Sequence, residues 1–173
     1  MKLAGVVYRA HHPRWSFAPE SGEGAAHHGG RFNRTGVPAL YTSARMETAW
    51  LEAQQGFPFK PQPMTLCGYE VDCAGIADLT DAAVRRRLAI ALADLACPWE
   101  FLAATGREPP SWLLADRLIA AGHAGIRVRS FAAGATELDV NVVFWRWSPS
   151  PPHKVRVIDD LGRLPRDGRS WTP

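Results

Sequence analysis

Apolar residues fall along this chain in two rhythms, short runs and helical stripes, and together they predict a mixed fold. Runs at residues 5–9 (GVVYR), 38–42 (PALYT), 65–72 (TLCGYEVD), 125–131 (GIRVRSF) and 138–147 (LDVNVVFWRW) read as strands, with a further short one at 153–158. Between them lie stripes of helical period. Ser43 is the expected N-cap of a helix whose stripe is Met46, Ala49, Trp50 and Ala53, and which stops near Gly56 and Pro58. Val84, Leu88, Leu92 and Leu95 predict one helix, capped by Thr80 or Asp81 and ended by Pro98, with the run Arg85, Arg86, Arg87 as its solvated flank. Ser111 is the expected cap of another, running to Ala121. Residues 11–30, rich in Gly, Pro, Ser and His, show no period and read as a long functional loop. Strands and helices mix without regular β-α alternation, so the expected class is α+β, not a doubly wound sheet.

Composition narrows this only a little. A chain of 173 residues is expected to form one domain over 1–173, with an extended polar tail from about residue 159. With 46% hydrophobic and 21% charged residues, wholesale disorder is excluded. A net charge of +3 suits an anionic substrate without demanding a nucleic acid. No apolar run approaches the ~20 residues of a membrane span, and the N-terminal apolar segment is too short for a signal peptide, so no membrane association and a cytoplasmic location are expected. The 3 cysteines, Cys67, Cys73 and Cys97, form neither a disulfide framework nor a zinc pattern and are expected in the core. His11-His12 and His27-His28 are adjacent pairs without helical metal spacing, so no metal is expected. No dinucleotide-binding G-x-G-x-x-G, Walker loop or G-x-S-x-G is present.

Candidate chemistry is concentrated in residues 29–52, GGRFNRTGVPALYTSARMETAWLE. Arg31 and Asn33 follow a Gly-Gly turn, Tyr41 lies in the second strand, and Glu52 lies on the next helix. A turn, a strand and a helix folded back on one another can bring a guanidinium, a phenol and a carboxylate into one cleft. Arg31 can clamp a pyrophosphate or be a surface arginine. Tyr41 can stack on a substrate base or be a core tyrosine. Glu52 can stabilise positive charge on a sugar or pair with Arg45 or Thr48. Glu47 and Glu52 flank the helix stripe on opposite sides, and geometry alone leaves the choice between them open. Arg9, at a strand end, can bind substrate or form a salt bridge. Ser130, after a strand, can contact ribose or phosphate, or serve a turn. The aromatic FWRW segment can stack bases or simply pack, which keeps a non-enzymatic RNA-binding domain as a remote alternative.

Taken together these residues resemble the RES-domain toxins of RES–Xre toxin–antitoxin systems. The matching pieces are YRA at residues 8–10, GGRFN-x-x-G-x-PALYTS at 29–43, TAWLE at 48–52, GIRVRS at 125–130 and NVVF at 141–144. Phe32 stands where the family commonly has tryptophan, and Arg129-Ser130-Phe131 replaces the usual Pro-Ser-Ala. The resemblance implies an ADP-ribosyltransferase-like mixed β core with flanking helices, acting on NAD as substrate. By position it implies Arg31, Tyr41 and Glu52 as the catalytic trio, with Arg9 and Ser130 in the NAD pocket, and so picks Glu52 over Glu47. It implies transfer of ADP-ribose to a protein, with phosphoribosyl-pyrophosphate synthetase as one such target in the family. The alternative within the family is an NAD glycohydrolase or phosphorylase. An Xre-type antitoxin is the implied partner, and direct nucleic-acid binding is not expected.

Overall fold

Among the described residues seven strands make one sheet, and segments far apart in sequence lie side by side in it. They are β1 (Leu3–His11), β2 (Leu40–Ser43), β3 (Thr65–Cys73), β4 (Ile76–Asp78), β5 (Gly125–Arg129), β6 (Val140–Phe144) and β7 (His153–Val157). The computed structural model describes residues 1–55 and 62–169. Across the sheet the order is β4-β5-β6-β2-β1-β3-β7. Among the described strands only the β4–β5 pair is parallel. Among the described residues six α-helices accompany it: α1 (Glu23–His28), α2 (Met46–Gln54), α3 (Ala82–Arg87), α4 (Leu92–Leu95), α5 (Trp99–Ala104) and α6 (Pro110–Ala120). The architecture is α+β, as expected.

β6 is the spine of the core. Val142 and Phe144 pack with Leu40, Tyr69 and Val71 on one side. Val143, on the other, packs with Ile126, Leu114 and Leu118. A strand buried on both faces reads as an unbroken apolar run, which is why NVVF shows no alternation. One junction in this sheet is incomplete. β1 pairs with β3 along its whole length but meets β2 only at Tyr8↔Ser43. Past that pair the two strands part, with Arg9 and Ala10 on one lip and Tyr41 and Thr42 on the other. α2 packs against β1 and β2 beside this split.

Several expected boundaries are corrected. Ser43 does not cap α2; it ends β2, where its hydroxyl donates to Asn141 Oδ1 at 2.7 Å, and α2 starts after an extended Arg45 without a side-chain cap. The apolar stripe on α2 is only partly buried: Met46 and Trp50 are 50% and 42% exposed, while Thr48 and Ala49 are buried. A buried threonine is tolerated there because its hydroxyl is hydrogen-bonded to Asp139. Gly56 and Pro58, expected to end this helix, lie outside the described residues. The single helix through Val84 and Leu95 is two, α3 and α4. Asp81 caps α3 by accepting from Ala83 N, and Ala89 ends it in the left-handed region at φ 51°, with Ile90 N donating to Arg85 O. That is a Schellman-type stop built on alanine where glycine is usual, so the sequence carried no sign of it. Ser111 is not a cap either; it is buried in the first turn of α6 behind Pro110 and accepts from Cys97 Sγ at 3.3 Å. The loop expected at 11–30 contains α1, a short helix with no buried residue and hence no apolar period to read. β4 and α5 were also unforeseen; β1 is longer than its apolar run, while β5 and β6 are shorter.

Candidate active site

The Gly-Gly turn is fastened from below by one buried side chain. Gly29 ends α1 with φ 72°, and Gly30 N donates to Asn33 O at 2.9 Å. Asn33, 1% exposed, donates through Nδ2 to Ala25 O and Val37 O, both at 2.8 Å. Its Oδ1 accepts from the Tyr41 hydroxyl at 2.7 Å, and that hydroxyl accepts from Phe32 N at 2.9 Å. Indole groups finish the turn: Trp112 Nε1 donates to Gly30 O at 2.7 Å and Trp145 Nε1 to Phe32 O at 2.8 Å. Burial pushes the Tyr41 phenol well above its ordinary range, the Phe32 amide and Arg31 only partly opposing it, so the phenol remains a neutral donor.

This turn has no room for a methyl group. A Cβ on Gly30 would stand 2.5 Å from the Tyr41 hydroxyl and 2.7 Å from Asn33 Oδ1, neither of which can swing away without losing its partners. Gly30→Ala is therefore expected to cost about 1–3 kcal/mol through overpacking. In a thermal melt, that is a drop of roughly 3–10 °C for a domain of this size.

The turn sets Arg31. Its Nη1 donates to Leu95 O at 3.2 Å and Cys97 O at 2.6 Å, at the end of α4, and its guanidinium carbon lies 4.9 Å from the centre of the Phe131 ring. Burial lowers its pKa, with Cys97 and Glu52 acting the other way. Arg9 comes from the opposite lip of the split, where its Nη1 donates to Pro19 O at 3.0 Å and Ser21 O at 3.3 Å. In both arginines one nitrogen is anchored to main-chain carbonyls, which orients the fork at little further entropic cost.

Glu52 is held from three sides. Its Oε1 accepts from Ser130 Oγ at 2.6 Å and also from Asn141 Nδ2, while Oε2 accepts from Gln55 Nε2. Ser130 Oγ in turn accepts from Ala132 N at 3.1 Å. Glu52 stands where two chambers meet. The larger, about 470 Å³, is walled by Gly29, Gly30, Arg31, Trp99 and Phe131; the smaller, about 310 Å³, by Tyr8, Ser43, Ala49 and Ala53. Arg9, Tyr41, Glu52 and Asn141 line both. The result is a bent cleft with two guanidinium groups, aromatic walls and an anchored carboxylate at its elbow.

Residues 6–167 match the family model described as the RES domain. The chain belongs to the RES-domain family. Its fold is similar to that of a chain in the crystal structure of the MbcT-MbcA toxin-antitoxin complex of M. tuberculosis, with a TM-score of 0.62 and 19% identity, covering 92% of this chain and 84% of that one. None of the curated proteins matches the sequence.

In this RES domain Arg31, Tyr41, Glu52 and Arg9 all face one cleft, and Ser130 reaches it through Glu52, being in the wall of neither chamber. Glu47 instead sits on the surface, 3.5 Å from Arg45, and Thr48 serves Asp139, so neither local pairing weighed for Glu52 exists. The Tyr41 hydroxyl is used within the fold, leaving its ring as a wall. Nothing in the sequence assigns Asn141 and Gln55 to Glu52, although both donate to its carboxylate. Asn141 lies in the matching NVVF piece, but no local pattern ties it to a glutamate 89 positions away. The FWRW segment packs: Phe144 is buried, and both indoles donate to main-chain carbonyls.

Proposed function

We propose that this RES domain is the toxin of a toxin–antitoxin pair, and that it cleaves the nicotinamide–ribose bond of NAD and passes the ADP-ribose to a protein acceptor. The observation that carries this reading is the anchored Glu52 carboxylate at the meeting point of two chambers, with Arg31 and Arg9 on the walls. Breaking the bond moves positive charge from the pyridinium ring onto the ribose, through an oxocarbenium-like transition state. A fixed carboxylate beside that ribose stabilises the charge as it develops, and its donors keep it from turning away. The two arginines offer charge-assisted hydrogen bonds to the pyrophosphate, and the Tyr41 ring forms a wall for ribose or nicotinamide. Nicotinamide leaves neutral and needs no acid, so one carboxylate suffices. The second chamber leaves a side from which an acceptor reaches the ribose carbon.

The family resemblance supports an Xre-type antitoxin as the partner and cytoplasmic action, with phosphoribosyl-pyrophosphate synthetase as the target. The chain works as a single RES domain, and Arg31, Tyr41 and Glu52 carry its catalysis, with Arg9 on the wall of the NAD site and Ser130 serving that site through its hydrogen bond to Glu52.

Labelled NAD incubated with the protein and a cell lysate tests the reading. The expected outcome is nicotinamide release together with a labelled protein band. Release of nicotinamide with only free ADP-ribose or its phosphate would replace the transferase by a glycohydrolase or phosphorylase. No release at all would end the enzymatic reading. In the same assay Arg31→Ala is expected to lower kcat/KM by about 10- to 100-fold, as fits the loss of a charge-assisted hydrogen bond to substrate.

A further inference from the structure

Behind the cleft a second polar cluster joins α2 to the connection between β5 and β6. Asp139 is 7% exposed, and its carboxylate accepts three hydrogen bonds: from Thr48 Oγ1 at 2.6 Å, and from Thr136 N and Oγ1 at 2.8 Å each. Its main-chain carbonyl accepts from Ser130 N at 2.7 Å. Thr48 is fully buried and precedes Glu52 by four residues on α2, so the two side chains lie on neighbouring turns of one helix face. Ser130, set by Asp139 through the main chain, is the donor on Glu52 Oε1. Both routes from Asp139 therefore end at the same carboxylate.

We propose that Asp139 is a positioning residue that fixes Glu52 in the cleft, holding α2 through Thr48 and Ser130 through its own main chain. This rests on Glu52 being the carboxylate that serves NAD cleavage. α2 needs such a hold, because its only buried residues are Thr48 and Ala49, while two of its three large apolar side chains, Met46 and Trp50, are about half exposed. A carboxylate suits the place: three donors converge on two oxygens, whereas an asparagine would turn an NH₂ group toward one of them. The hydrogen bonds from Thr48 and then Thr136 hold the Asp139 carboxyl below the usual carboxylate range, so it is ionised at neutral pH and its hydrogen bonds are charge-assisted.

The test is nicotinamide release at varied NAD, with thermal melts, for Thr48→Val and Asp139→Asn, each made in the wild-type protein and in Glu52→Gln. In the wild-type background kcat is expected to fall about tenfold while KM stays within about twofold, the pattern of a displaced catalytic group with binding intact. In the Glu52→Gln background either change is expected to alter the residual rate by less than about twofold, since the group it positions is already gone. An unchanged kcat with a lowered Tm overturns the proposal by making the cluster a stability element alone. A full tenfold loss persisting without Glu52 overturns it as well. If Asp139→Asn fails to fold, the near-isosteric Thr48→Val decides. Should Glu52→Gln itself retain wild-type turnover, the catalytic reading of Glu52 falls and this assignment falls with it. Loss in Glu52→Gln with intact kcat in Thr48→Val removes only the positioning role.

Discussion

Glu52→Gln is expected to lower the turnover of nicotinamide release by about 10²- to 10³-fold while leaving the KM for NAD within about threefold. The substitution keeps the shape of the site. A glutamine Oε1 still accepts from Ser130 and Asn141, and Gln55, which is exposed, can turn from the new NH₂ group. In the proposed reaction, what is lost is the negative charge opposite the ribose as it becomes cationic, an interaction that matters most at the transition state and little in the bound substrate. Losing one preorganised electrostatic group of this kind costs about 3–4 kcal/mol in barrier height. Melting temperature serves as the control and is expected to move by only a few degrees. Turnover equal to wild type would remove the carboxylate from the mechanism.

Asn33→Ala carries the largest expected effect on the fold around the site. It strands the Val37 carbonyl and the donor proton of the Tyr41 hydroxyl in a place with almost no access to water, and leaves the Ala25 carbonyl with Gly29 N alone. Each buried polar group left without its partner costs about 1–3 kcal/mol, so a total of roughly 3–5 kcal/mol is expected. By the size scaling for a chain of this length, that is a fall in Tm of roughly 6–15 °C, to be read by calorimetry or circular dichroism. The same change frees the turn that carries Arg31, so activity measured well below the new Tm is expected to drop too. A shift under about 2 °C would show that the turn is held by the Trp112 and Trp145 hydrogen bonds instead.

These two residues differ in how visible they were beforehand. Glu52 was one of two glutamates on a short helix, and the helical period could not choose between them; the family resemblance picked it, and the fold sets it in the cleft with Arg31 and Arg9. Asn33 stands out in the sequence only as a neighbour of Arg31 in a glycine turn. Nothing local marks it as the side chain on which α1, the turn and Tyr41 converge. For Tyr41 the sequence leaves a stacking ring and a core tyrosine both open, and its phenol proves to be an internal strut, satisfied by Phe32 N and Asn33 Oδ1. The helix expected to run past Leu88 stops because Ala89 takes a left-handed conformation, which composition does not announce.

The order of residues by itself determined the α+β class, the apolar spine at β6 and the family, and it drew together Arg31, Tyr41 and Glu52 within one short stretch. These are properties of neighbours: periodicity, turn-forming glycines and a motif with fixed spacing. Only the tertiary structure decided where β1 and β2 part to open the cleft, and which partners secure its carboxylate. Ser130, Asn141 and Asp139 reach α2 from 78 to 91 positions away. Hydrogen bonds over such separations leave no period in the chain, because they depend on which strands the sheet sets side by side.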